Sequence, residues 1–146
     1  MLRSGVAGLS ISKNCRAQEA AWALEDACIK RFGVLPKGDG GVVVRSDNRL
    51  VFASKPYRRL LASYGLTQKF IHPHTPEHNG VIEAYHKTFK RECVWQHRFA
   101  TIDEVIATVT AWVDHYNNRR PHSSLGYLTP AGWRERDEAR ITSLIV

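Results

Sequence analysis

The feature that most constrains the fold is the apolar run at residues 42–44 (VVV), which ends abruptly in residues 45–48 (RSDN). Such a run is typical of a strand buried on both faces of a sheet. Ser54 then caps a predicted helix with Pro56 in its first turn, and residues 66–71 (LTQKFI) alternate like a second strand. These residues therefore read as a strand, a helix and a second strand in that order.

Further elements are predicted on both sides of this unit. Residues 6–11 (VAGLSI) read as a strand, and residues 16–32 carry apolar groups at a helical period. Residues 81–95 read as the next helix, a capping-box pattern at residues 101–104 (TIDE) starts a third, and residues 129–130 (TP) start a short terminal one. The order β-α-β-α-β followed by helices predicts an α/β fold in one domain.

Composition narrows the class of partner. The 146 residues include 21 Lys and Arg against 14 Asp and Glu, a net charge of +7. This excess favours a polyanion, nucleic acid first. No apolar run approaches the roughly 18 residues of a membrane span, and no secretory signal is evident. Cys15, Cys28 and Cys93 form no CxxC pair, which fits idle thiols in a reducing compartment. We therefore expect a cytoplasmic protein without a membrane partner.

Two carboxylates stand where chemistry is expected. Asp47 follows a strand, and open α/β sheets usually bind ligands and metals at the carboxyl ends of strands. Glu83 lies in the first turn of a helix, where it could also serve only to stabilise its own helix dipole. Lys87 and Lys90 follow at i+4 and i+7 on the same helix face. They suit a phosphate backbone, although a Glu–Lys surface pair is the simpler alternative.

The loop at residues 72–80 (HPHTPEHNG) offers another hypothesis. Its three histidines, with His86 or Cys93 as a fourth ligand, could bind zinc. The spacing H-x-H-x₃-H is not a recognised zinc signature, and a polar loop beside an active site explains it as well. Asn79 and Gly80 are expected to shape the turn into the helix. The three histidines are His72, His74 and His78.

Three separated segments resemble the catalytic core of insertion-sequence transposases of the DDE, or retroviral-integrase, superfamily. They are SDN after the apolar strand, HPHTPEHNGVIEAYHKTFKRE, and YNNRRPHSSLGYLTP, whose work is mostly architectural. Thirty-five residues, 48–82, separate Asp47 from Glu83, as in the D,D(35)E class. The likeness predicts a partial integrase catalytic core at residues 1–134 and a C-terminal tail at residues 135–146.

The resemblance implies a ribonuclease-H-like integrase core, N-terminally truncated, with about three strands remaining. It implies that Asp47 and Glu83 are catalytic and bind Mg²⁺ or Mn²⁺, whose two ions stand about 3.5–4 Å apart in such sites. Water would be the nucleophile in DNA nicking, and a DNA 3′ hydroxyl in joining. The expected DNA contacts are Lys87, Lys90, Asn79 and Arg120.

The sequence departs from the family in two places. The family's first Asp lies in the first strand of the fold, and Asp26 on a predicted helix or Asp39 in a Gly-rich loop is no credible substitute. Without it we expect weak metal binding, impaired catalysis and unpaired strand edges, as in a truncated or decayed gene copy. Arg49 stands where the family usually has Gly, and it could disturb the metal site or point at DNA.

Three functions compete at this point. The first is a transposase core fragment for DNA transposition and integration, inactive alone, whose partners are DNA and a homo-oligomer. The second is a noncatalytic DNA-binding or oligomerising module that regulates a full-length transposase. The third is a zinc-dependent hydrolase that uses the histidine loop.

Overall fold

The structure is a computed structural model that describes residues 5–14, 16–32, 42–71 and 80–143. Its regular elements alternate helices with two short strands. They are α1 (Ala17–Phe32), β1 (Val43–Ser46), α2 (Lys55–Ser63), β2 (Thr67–Phe70), α3 (Gly80–Glu92), α4 (Ile102–Asn118) and α5 (Pro130–Ser143), with 3-10 turns at Val94–Gln96 and Ser123–Leu125. The α/β class predicted from the sequence is confirmed. None of the described helices is long and apolar enough to cross a membrane.

The chain divides into two compact units. The N-terminal unit is Ala7–Lys90, and the C-terminal unit combines Arg91–Val146 with Met1–Val6. The first unit contains both strands and the helices α1 and α2, and the second contains α4 and α5. The tail boundary predicted at residue 134 falls within α5 and stays a prediction.

The β-α-β unit predicted from the apolar run is present. β1 and β2 are parallel neighbours, with Val43 opposite Thr67 and Ser46 opposite Phe70. Ser54 caps the helix between them, and its hydroxyl accepts a hydrogen bond from the Tyr57 N–H at 3.4 Å. The helix cap and the strand–helix–strand order were therefore both predicted from the sequence, and the structure adds that the two strands are parallel.

One face of this sheet packs on the helices. Ala21 of α1 and Tyr57 and Leu61 of α2 are buried together, with Val44 of β1 packed against them. Val43 points to the other face and is 43% exposed. The prediction of a strand buried on both faces is therefore wrong, because in the described residues α1 and α2 cover only the Val44 face.

Residues 6–11, predicted as a strand, are not a strand. Their backbone groups bond to side chains instead of a neighbouring strand. The Asn117 amide accepts from the Val6 N–H and donates to the Val6 carbonyl, both at 2.9 Å. The Leu9 N–H donates to the Asp26 carboxylate at 3.1 Å. Residues 6 and 8–11 are partly buried, as is common in an apolar segment. A strand also requires a neighbouring strand, and a local sequence pattern does not indicate whether one is present.

The same segment approaches α1 closely. A Cβ added at Gly8 would lie 2.8 Å from the Cβ of Ala27 and clash with the Ala23 carbonyl. Only glycine permits this approach of the backbone to the helix. Asp26, which the sequence placed on a helix, lies on α1 and also pairs with Lys30 at 2.7 Å.

In the C-terminal unit, the start of α4 and its buried residues agree with the prediction from the sequence. The Thr101 side chain accepts from the Glu104 N–H at 3.2 Å, and Glu104 in turn accepts from the Ala100 N–H at 2.8 Å. This reciprocal arrangement starts α4. Val109 and Trp112 of α4 are buried, as the helical period predicts.

Candidate active site

The loop after β1 is held by side chains that reach across to β2. The buried Ser46 hydroxyl accepts a hydrogen bond from Gln68 Nε2 at 2.9 Å, and the same amide donates to the Phe52 carbonyl at 3.0 Å. Asn48 Nδ2 donates to the Ile71 carbonyl at 3.1 Å. These bonds fix the backbone on both sides of Asp47, so the position of its carboxylate is set by the β-α-β unit.

Among the residues that the structure describes, Arg49 alone contacts the Asp47 carboxylate through a hydrogen bond or an ion pair. Asp47 Oδ1 accepts from the backbone N–H of Arg49 at 3.0 Å, and Asp47 Oδ2 lies 3.2 Å from Arg49 Nε. The first contact is the local turn that Asp side chains commonly make with the backbone two residues on. The second is an ion pair at the surface, with side-chain exposures of 49% for Asp47 and 76% for Arg49.

Glu83, Lys87 and Lys90 form one exposed stripe on α3, which we call the α3 charged stripe. None of the ion pairs in the described residues includes any of the three. Tyr85 and Phe89 lie on the other side of the helix, half-buried, with rings stacked at 6.2 Å between centroids. The α3 charged stripe is therefore the more exposed side of the helix and is accessible to solvent.

The structure places Asp47 and Glu83 in the same unit but shows no contact between them. Both lie in Ala7–Lys90. Among the residues that the structure describes, no three His, Cys, Asp or Glu side chains come together as a metal site. A shared metal centre is thus a hypothesis from the sequence, and the separate placement of each carboxylate is what the structure adds.

Several candidates from the loop at residues 72–80 lie outside the described residues. They include Asn79 and the histidines His72, His74 and His78. Of the two suggested fourth zinc ligands, His86 is exposed and Cys93 is fully buried. Burial raises the pKa of the Cys93 thiol and so disfavours the thiolate that zinc requires.

Arg120, predicted to contact DNA, is held within the C-terminal unit. Its Nε and Nη2 donate to the two carboxylate oxygens of Glu92 at 3.0 and 2.9 Å. This forked hydrogen bond lowers the pKa of Glu92 and raises that of Arg120. The pair is partly buried, so in this structure Arg120 links α3 to the segment after α4.

The rest of the terminal motif is also structural. The Tyr116 and His122 rings pack edge to face, with 4.6 Å between their centroids. The backbone N–H of His122 donates to the Leu128 carbonyl at 3.1 Å. Burial lowers the pKa of His122, which favours its neutral form. These contacts are in keeping with the architectural role predicted for this segment, which stays a prediction.

Two ion pairs that involve candidate site residues were not predicted from the sequence, Asp47–Arg49 and Glu92–Arg120. The Asp47–Arg49 turn has a signal, because an Asp commonly bonds to the backbone two residues later and here that residue is a cation. The Glu92–Arg120 pair has none, because its members are 28 residues apart along the chain. Only the fold brings them together.

Comparison with known families shows what the chain is similar to. Residues 64–130, somewhat less than half of the chain, match the family model of the integrase core domain. The chain is 32% identical over 135 residues to an uncharacterized 31.7 kDa protein of insertion element IS407 of Burkholderia multivorans, covering 92% of this chain and 43% of that protein.

Two further proteins are also similar to the chain. The transposase of insertion sequence IS904 of Lactococcus lactis is 29% identical over 91 residues, 62% of this chain and 36% of that protein. The chain thus spans well under half the length of both relatives. The catalytic core domain of BIV integrase has the same fold, with a TM-score of 0.61 at 23% identity over 86% of this chain and 76% of that one.

The side chains at the candidate site carry the oxygen ligands that a hard divalent cation prefers. Asp47 and Glu83 offer carboxylate oxygens, which Mg²⁺ prefers, and both side chains are accessible to solvent. Glu83 has no ion-pair partner among the described residues, whereas Asp47 has Arg49. The donor type fits the metal, and one donor is already neutralised by a cation.

Proposed function

We propose that this chain binds Mg²⁺ or Mn²⁺ through Asp47 and Glu83 and acts on the phosphodiester backbone of DNA. The observation that carries the proposal is the α3 charged stripe. It is an exposed carboxylate with two lysines on one helix face, and none of the three pairs with another described residue. The family relatives in insertion elements make DNA transposition the corresponding process.

Each residue has a separate task in this proposal. Asp47 and Glu83 would hold the cations, which in such enzymes activate the attacking oxygen and stabilise the leaving oxygen of the phosphodiester. Lys87 and Lys90 would contact phosphates beside the cut, together with Asn79. The hydrogen bonds of Ser46 and Asn48 keep the Asp47 loop in place, so that less ordering is needed when DNA binds.

The DNA contacts differ in how available they are. Lys87 and Lys90 are exposed, whereas two nitrogens of Arg120 are bound to Glu92. Arg120 is therefore less available for DNA than either lysine. The net charge of +7 favours DNA over neutral partners. Self-association, which would bring two DNA ends together, belongs to the proposal by analogy with the family.

A noncatalytic DNA-binding module, able to pair with a full-length transposase, is the second candidate. The Arg49 contact with Asp47 favours it, because a carboxylate that already has a counter-ion binds metal less readily. So does the lack of a third carboxylate beside either residue in the part of the chain that the structure describes. This module would bind DNA with a steep salt dependence and would not cut it.

A plasmid-nicking assay with Mg²⁺ and with Mn²⁺ separates the two candidates. An active integrase core nicks supercoiled DNA, and the Asp47→Asn, Glu83→Gln double variant loses that activity while it still binds DNA. Metal-dependent nicking that persists in the double variant would contradict the assignment of these two ligands. DNA binding without nicking in the parent chain would favour the noncatalytic module.

The salt dependence of DNA binding tests the lysines separately. Lys87→Gln together with Lys90→Gln should weaken binding and reduce the slope of log affinity against log salt by about two, one for each phosphate contact. The matched control is Arg58→Gln with Arg59→Gln, which removes the same charge from exposed positions of α2. Equal slopes for the two double variants would show a nonspecific charge effect and refute the lysine contacts.

A further inference from the structure

We propose that Arg49 is an exchangeable counter-ion of Asp47, which lowers the affinity of this site for divalent cations. The inference rests on the proposed function, because it concerns the same carboxylate. It goes beyond that function by assigning a competitor within the chain to the metal site. In this account the site is balanced between its own guanidinium and a bound cation.

The geometry is that of direct competition. Arg49 bonds to both carboxylate oxygens of Asp47, to Oδ1 through its backbone N–H at 3.0 Å and to Oδ2 through Nε at 3.2 Å. A cation that binds Oδ2 would stand against the guanidinium and be repelled by it. The backbone bond to Oδ1 can remain, because one carboxylate oxygen can accept a hydrogen bond while the other binds a metal. Only the side chain of Arg49 must leave.

The exposure of the pair makes this exchange possible. The Arg49 side chain is 76% exposed and can turn into solvent. Exposed ion pairs are weak, so the side chain should reduce metal affinity without abolishing it. Arg45, the other nearby cation in sequence, is exposed on β1 and pairs with no acidic residue among those described. Arg49 is therefore the relevant competitor.

Isothermal titration with Mn²⁺ as the probe tests this competition without measuring activity. Arg49→Gln removes the charge but keeps the backbone N–H and a polar side chain. It should bind Mn²⁺ about two- to fivefold more tightly than the parent chain. Arg49→Lys keeps the charge and should remain much closer to the parent chain. Because Arg49 is largely exposed, neither variant should disturb folding.

The matched control is Arg45→Gln, which removes an equal charge two residues before Asp47. It should change the Mn²⁺ affinity less than Arg49→Gln does, since general repulsion is screened at the surface. If Arg45→Gln and Arg49→Gln bind Mn²⁺ equally well, the competitor role of Arg49 is wrong.

The outcomes also separate this inference from the proposed function. Affinity that is lost in Asp47→Asn but unchanged in Arg49→Gln would overturn only the role of Arg49 and leave the metal site intact. A failure of both the parent chain and Arg49→Gln to bind Mn²⁺ would overturn the metal site and the inference together.

Discussion

At the scale of single residues, the Glu92–Arg120 pair is the best-defined electrostatic contact in the C-terminal unit. Both carboxylate oxygens are bound, at 3.0 and 2.9 Å, and the side chains are only 29% and 26% exposed. Paired hydrogen bonds between a carboxylate and a guanidinium are stronger than neutral ones. The pair is therefore expected to stabilise the fold more than the exposed ion pairs do.

Glu92→Gln should lower the free energy of unfolding by about 1–2 kcal/mol at neutral pH. Because Arg120 lowers the pKa of Glu92, this stabilisation is complete above the pKa of the unfolded carboxyl, about 4.3. It is lost as the pH falls through the lowered pKa of the folded state. Urea unfolding of both chains should therefore show a difference at neutral pH that shrinks toward about pH 3.

Arg91→Gln is the control for this prediction. Arg91 reaches the same carboxylate only at 3.3 Å and is 61% exposed, so its removal should cost less than about 0.5 kcal/mol. A Glu92→Gln variant whose deficit stays constant down to the lowest pH would show that the lost stability comes from something other than the ionised pair.

At the scale of elements, Asn117 near the end of α4 takes the place of a partner strand. Its amide accepts from the Val6 N–H and donates to the Val6 carbonyl, as a neighbouring strand would. Gly5 passes close beside it, with φ of 107°, a backbone conformation that glycine adopts readily. The Asn117 side chain thus helps to hold Gly5 and Val6 in the C-terminal unit.

Asn117→Ala should cost about 1–3 kcal/mol, because it leaves two partly buried backbone groups without partners. Hydrogen exchange at the Val6 amide should accelerate markedly. Asn118→Ala is the matched control, since its amide bonds only to the exposed Asp114 side chain and its loss should cost little. Equal exchange at Val6 in the two variants would contradict the proposed role of Asn117.

The elements also show what a sequence can and cannot predict here. α2 and β2 were predictable because the Ser54 cap, Pro56 and the alternation at residues 66–71 are local signals. The strand expected at residues 6–11 was not, because strand pairing depends on a partner far along the chain. The side of the sheet that stays open, with Val43 exposed, is likewise a property of the assembled fold.

The candidate site also combines features that the sequence predicts with others that depend on the fold. Asp47 and Glu83 were predicted from their positions at a strand end and a helix start, together with their spacing, and their role as metal ligands stays a prediction. The exposure of Lys87 and Lys90 followed from the helical period. The engagement of Arg120 by Glu92 could not be predicted, because it requires the tertiary arrangement of the C-terminal unit.

At the scale of the whole molecule, we propose that Asp47 and Glu83 bind metal at one centre. The fold is that of an integrase core, and both residues lie in the N-terminal unit. The chain covers 43% of the IS407 protein and 36% of the IS904 transposase, so complete transposition remains a proposal. The metal centre can be tested on this chain alone.

The most direct measurement is paramagnetic broadening of amide NMR signals during titration of the isotope-labelled chain with Mn²⁺. If Asp47 and Glu83 share a metal centre, the signals of Asn48 and Ala84, next to the two carboxylates, should broaden at the same Mn²⁺ concentrations and recover in excess Mg²⁺. The Asp47→Asn, Glu83→Gln double variant should show neither effect. Broadening at only one of the two positions, or unchanged broadening in the double variant, would contradict a shared metal centre.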